Sequence, residues 1–254
     1  MAKQSDKKNG KYLYAVIDNQ DALKFASSGI DGSDVYTISN NDELRIVVSD
    51  VVSKKMRPER RYIAAHQKVL EKLMEKTTPL PIVFGTIAND SKQVQKFLSD
   101  NRTVFHKNLR RVTNKVEMGL RCIWNVPNIF EYLVRTNSEL IEARNEFFKG
   151  SHEPSMDDKI ELGKQFSQLL DDEREKHTEK VEAVLLKYCS EIKRNKPFAE
   201  RDIMNLACLI ENDSQDSFEK GIFEAANMFD NNFTFDYNGP WAPHNFVEID
   251  LKFQ

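Results

Sequence analysis

The chain has 254 residues, enough to bury roughly three quarters of the surface its unfolded form would expose, so a core needs neither disulfides nor a metal. Hydrophobic residues make up 40% of it and charged residues 30%, with 16 Phe, a mixture that excludes a disordered chain. The formal charge of −3 comes from 37 basic and 40 acidic residues interspersed along the sequence, which speaks against nucleic acid as the main partner.

The opening residues MAKQSDKKNGK are polar, with no apolar signal stretch behind them. No later run reaches the length of a membrane helix, so the expectation is a cytoplasmic protein with no membrane partner. Tyr12 to Ile17 then forms an apolar run suited to a buried strand. Val35 to Ile38 and Leu44 to Val48 are further strand candidates, each preceded by turn formers. Pro58 opens a helix in which Tyr62, His66, Val69, Leu70 and Leu73 recur at three- and four-residue steps. Leu80 to Ala88 reads as a strand bent at Gly85, and Asp90 as the cap of a helix running to about Val112.

From Lys115 the period changes to two, placing Val116, Met118, Leu120, Cys122 and Trp124 on one face of a strand and Glu117 on the other. A helix-rich stretch from about 128 to 194 follows, broken near Gly150 to Pro154. Its charged run DDEREKHTEK is expected on a solvated helix face. Ile203 to Ile210 is apolar on both faces, as a central strand would be; a helix with Phe218, Ile222, Ala225 and Phe229 comes next, then a strand from Phe233 to Tyr237. The reading is α+β with two domains, 1–113 and 114–254. The second is ferredoxin-like, with a helical insertion over 128–194 and a tail over 238–254.

The tail is the most distinctive segment. Asn238-Gly239-Pro240-Trp241-Ala242-Pro243 predicts a sharp exit from the sheet, and Val247, Ile249, Leu251 and Phe253 then alternate with polar residues. Such a tail either covers an apolar groove on its own body, which we favour, or adds to a partner's sheet edge.

Phosphate-loop, zinc-protease, nucleophile-elbow and zinc-spacing motifs do not occur in the sequence. Cys122, Cys189 and Cys208 are far apart and read as reduced thiols. His66 is the one acid–base candidate, near Arg57, Arg60 and Arg61, and a hydrogen-bonded core histidine is the simpler reading. The arginines stand at a helix start, where cations oppose the dipole, which points to an internal salt bridge or an acidic partner surface. The expectation is therefore no catalytic, cofactor or metal site.

DYNGPWAPHNFV, residues 236 to 247, resembles the closing signature of the GvpF/GvpL family of gas vesicle proteins. Tyr12-Leu13-Tyr14-Ala15, His66 with Val69-Leu70, Pro81 to Thr86 (PIVFGT) and Glu117 in KVEMGL agree in order. Val83, Ala242 and His244 depart from the residues common in the family, so no role passes to them. The residues carrying the resemblance, with the arginine at the first helix start, form the candidate interaction set: Arg57, His66, Pro81, Phe84, Gly85, Glu117, Gly239, Pro240, Trp241, Pro243 and Phe246. The resemblance implies an assembly factor or minor structural component of gas vesicles, without known enzymatic activity or cofactor. Its partners would be the small, apolar, GvpA-like shell protein and other accessory proteins. The alternatives from other classes are a small-molecule enzyme and a ligand-sensing module on a ferredoxin-like scaffold.

Overall fold

A computed structural model describes residues 10–18, 28–39, 44–52, 55–147 and 155–247. The alternating residues Ile249, Leu251 and Phe253 lie outside the described residues, as does the break expected between 150 and 154. Two compact units are present, Met1–Glu117 with Pro240–Gln254, and Met118–Gly239.

In the first unit, β1 (Gly10–Asp18) sits inside a sheet with β2 (Val35–Ser39), β3 (Leu44–Val51), β4 (Leu80–Pro81) and β5 (Ile87–Ala88). The order is β2-β3-β1-β4, with β5 also pairing β1, and all these pairings are antiparallel. The register of β1 against β3 slips between Leu13 and Ala15, which leaves Tyr14 as an extra, bulged residue. A bulge changes which side successive residues face. Its result is that Tyr12, Tyr14, Ala15 and Ile17 all join one core, together with Val47, Val69, Leu70 and Leu73. Helix α1 (Arg60–Met74) supplies the last three, and its buried residues are His66, Val69, Leu70 and Leu73, the stripe expected from their spacing.

Helix α2 (Ser91–Asp100) is capped as expected: the Asp90 carboxylate accepts a hydrogen bond from Gln93 N. The single helix anticipated to Val112 is two, because the chain breaks at Asn101 before α3 (Arg102–Val112). At Asn101 the backbone leaves the helical region (φ −111°, ψ 12°), and its side chain donates to the carbonyl of Phe97 at 2.9 Å, alongside its own backbone N–H at 3.2 Å.

The second unit holds β6 (Lys115–Trp124), α4 (Ile129–Thr136), α5 (Ser138–Phe147), α6 (Met156–Leu185), β7 (Glu191–Asn195), β8 (Asp202–Glu211), α7 (Gln215–Ala226) and β9 (Phe233–Trp241). Its sheet runs β7-β8-β6-β9. Numbered within the unit, that is second, third, first, fourth, the ferredoxin-like order. Strand β8 is central and almost wholly buried, in keeping with its two apolar faces. Helix α6 packs on β8 and α7, burying Phe166, Leu170, Val181, Val184 and Leu185.

The helical stretch ends at Leu185, not at 194, and Glu191–Asn195 is a strand. It lies at the sheet edge with half-buried or exposed side chains and a single aliphatic residue, so the period-two signal is missing. The DDEREKHTEK run is on α6, but one side turns inward: Thr178 is buried, and His177 lies 5.3 Å from the Phe229 ring and 5.1 Å from Phe233. The sharp exit also comes later than expected. Gly239, Pro240 and Trp241 are still in β9, and the chain turns at Ala242-Pro243 into a 3-10 turn at His244–Phe246. β9 is an edge strand, where a proline without an N–H can stand. Among the described residues no helix is long and apolar enough to cross a membrane.

Candidate functional site

Several stretches distant in sequence meet in the first unit. Tyr12 and Tyr14, two apart on β1, lie side by side, ring centroids 4.9 Å apart. His66 comes up from α1 to stack on Tyr14 at 5.5 Å and to meet Tyr12 edge-on at 5.7 Å. Phe84, in the loop between β4 and β5, closes the cluster at 5.8 Å from the His66 ring. That loop is tied to β1 by Ile82 N donating to Tyr14 O and Leu13 N donating to Thr86 O. Gly85 in it has φ +86°, a conformation that favours glycine.

The hydrogen bonds fix the imidazole. Gly85 N donates to Tyr12 Oη at 3.2 Å, and the same oxygen is hydrogen-bonded to His66 Nδ1 at 2.9 Å. The other ring nitrogen, Nε2, is buried and has no hydrogen-bond partner among the described residues. Tyr14 Oη lies 2.8 Å from Ser49 Oγ and accepts from Ile30 N at 2.8 Å. Burial, with the neighbouring His244 adding to it, pushes the His66 pKa down to about 4, and burial also lowers that of His244. Burial raises both tyrosines, despite hydrogen bonds that oppose it. At neutral pH every ring in the cluster is uncharged. That is the state its apolar surroundings demand.

The closing segment packs onto the same unit. Ala242 belongs to the core of Tyr12, Tyr14 and Leu70, Pro243 is buried, and Phe246 has no exposed surface. The buried Glu117 carboxylate grips the turn: Oε2 accepts from Asn245 N at 2.7 Å and Oε1 from Asn245 Nδ2 at 2.6 Å. Arg111 on α3 donates to Phe246 O at 3.2 Å. The described part of the tail is thus docked on its own body.

His66, Pro81, Phe84, Gly85, Glu117, Pro243 and Phe246 are brought together in this unit. Pro81 is buried and pairs Ala15 across the sheet. Arg57 is not part of the cluster; it is exposed and lines a recess of about 450 Å³ with Asp31, Asp50, Lys55, Glu59 and Tyr62, walls of both signs. Arg61 pairs with Glu59 at 3.0 Å and lies over the Tyr62 ring at 4.4 Å. Gly239, with φ +124°, and Pro240 are exposed at the end of β9, and Trp241 beside them keeps 37% of its surface in solvent. Ser49, Arg111, His244 and Asn245 are participants that sequence reasoning missed. Glu117 carried a signal, since a carboxylate beside a buried face had a partner to find, but nothing pointed to Asn245, 128 positions away.

The family model for the gas vesicle synthesis protein GvpL/GvpF matches residues 10–248. Gas vesicle protein F of Dolichospermum flosaquae is 22% identical over 242 residues, which cover 94% of this chain and 98% of the relative. Gas vesicle protein F of Haloferax mediterranei is 25% identical over 244 residues, 94% of each. The crystal structure of the gas vesicle protein GvpF from Anabaena sp. PCC7120 superimposes with a TM-score of 0.82 at 23% identity, over 96% of this chain and 100% of that one. That of GvpF from Microcystis aeruginosa gives 0.79 at 21% identity, over 94% and 99%. At such identities the structures speak for the fold, while the match along nearly all of the chain speaks for descent: the protein belongs to the GvpL/GvpF family of gas vesicle synthesis proteins.

Proposed function

We propose that this protein serves gas vesicle formation by binding the small apolar shell protein, as an assembly factor or a minor wall component, and that it catalyses no reaction in doing so. One observation supports this above others: the residues that carry the family resemblance are spent on internal packing. Tyr12 and His66 hydrogen-bond each other, Glu117 holds Asn245, and Phe246 fills the core. A group held neutral and walled in by aromatic rings is a structural support, since acid–base work needs a reachable proton. What the signature offers outward is Gly239-Pro240-Trp241 on an edge strand, an amphipathic indole of the kind that anchors interfaces.

The partner in this reading is the shell protein, whose apolar surface needs cover before it joins the wall, and the place of action is the gas vesicle and the cytoplasm around it. Co-expression with the shell subunit and capture through a tag on this protein tests the reading. Retention of the shell subunit is expected, with about tenfold weaker retention by Trp241→Ala at unchanged thermal midpoint. Absence of retention by the wild-type protein would refute it.

A further inference from the structure

The three thiols occupy three different environments. Cys122 on β6 is fully buried, and burial, helped by the charge of Asp236, pushes its pKa up to about 12. Cys208 is fully buried in the middle of β8, opposite Ile192 of β7 in the antiparallel register. Cys189 is half-buried, in the short link by which the chain passes from α6 to β7. Its Sγ donates to the carbonyl of Leu185 at 3.0 Å, and the Cys208 thiol is within hydrogen-bonding reach of the same sulfur. The link is held to β8 by Ser190 N donating to Leu209 O at 2.8 Å. The link therefore brings Cys189 up to Cys208 where the β7–β8 pairing begins, Cys189 half-buried and Cys208 fully buried.

We propose that Cys189 and Cys208 form a reversible oxidation site: a peroxide oxidises Cys189, and Cys208 resolves it as an intramolecular disulfide. In the first step the Cys189 thiolate attacks the peroxide, the O–O bond breaks, an S–O bond forms, and with one proton a water leaves. In the second the Cys208 sulfur displaces the oxygen of the sulfenic acid, an S–S bond forms, and the Cys208 proton leaves with that oxygen as a second water. The pair gives up two electrons and hydrogen peroxide takes them. The Cys208 hydrogen bond lowers the Cys189 pKa although burial works against it, which favours the thiolate at the more accessible of the two residues. The product would tie the edge strand covalently to the central one.

The test uses the whole protein, treated with hydrogen peroxide, denatured, and labelled at its remaining free thiols with N-ethylmaleimide. Expected are an intact mass lower by two hydrogens, one labelled thiol at Cys122, a cross-linked peptide pair joining Cys189 and Cys208, and reversal by dithiothreitol. In Cys208→Ala the Cys189 sulfenic acid should accumulate and react with dimedone, without cross-link. In Cys189→Ser, a half-exposed position that should leave folding intact, Cys122 and Cys208 should both stay free at the same peroxide dose. Three free thiols in the oxidised wild type, a cross-link between two molecules, or Cys189 carried to a sulfinic acid while Cys208 stays free would each overturn the proposal.

Discussion

His66 shows how one side chain can govern the pH response of the first unit. Its pKa is about 4 in the folded protein because burial penalises the charge, against about 6.5 in an unfolded chain. Between those values the unfolded state binds more protons, so stability falls as pH drops from about 6.5 to about 4 and is fully present above that window. The span corresponds to about 3 kcal/mol, and His244, lowered by the same cause, adds in the same direction. Urea unfolding at pH 7 and pH 4.5 should show the loss, and His66→Gln should flatten it while lowering stability at pH 7 through the altered bond to Tyr12. Glu117 acts on the closing turn instead. Glu117→Ala leaves Asn245 N and Nδ2 without their acceptor, an expected cost of about 2 kcal/mol, with hydrogen exchange around Asn245 to Val247 accelerated.

At the scale of elements, β7 and β8 are joined by a hairpin whose base is a fully buried carboxylate. Burial would raise the Asp202 pKa, but Arg121 and the backbone N–H groups of Phe198 and Ala199 more than offset it. Asp202→Ala should cost about 3 kcal/mol and loosen the β7–β8 pair, visible as faster exchange in Glu191–Asn195. Helix α7 offers a reversal of a general rule. Gly→Ala inside a helix normally stabilises by up to about 1 kcal/mol. At Gly221, however, a Cβ would stand 2.5 Å from the Tyr188 ring, which is itself pinned through Oη to Glu224 at 2.6 Å. Gly221→Ala should therefore lower the thermal midpoint, by about 1 to 3 kcal/mol in stability.

The same elements show what could be read from the sequence. Apolar runs and stripes located β1, α1, β6, β8 and α7, since burial on a defined face leaves a period in the residues. The edge strand β7 has half-buried or exposed, mostly charged side chains, and its identity depends on hydrogen bonds to β8 that no local pattern encodes. The bulge at Tyr14 is likewise set by the partner strand, and it decides that Tyr12 and Tyr14 share a core with Ala15. At the candidate site the rare closing residues were legible as a group. Their placement was not: Trp241 remains in the strand, and the turn onto the first unit begins one residue later.

Over the whole molecule, the first compact unit is discontinuous in sequence, with the entire second unit inserted between Glu117 and Pro240. Ala242 and Phe246 are core residues of a body whose other parts precede residue 118. On a ribosome that body must wait: a nascent chain of its first 117 residues has a vacant seat where Phe246 belongs, and the seat is filled only after more than a hundred further residues have emerged. A circular permutant that carries residues 240–247 ahead of β1 would close the seat early, and its first unit should acquire protease resistance once β1 to β6 have emerged, while the natural order acquires it only once residues 240–247 have emerged.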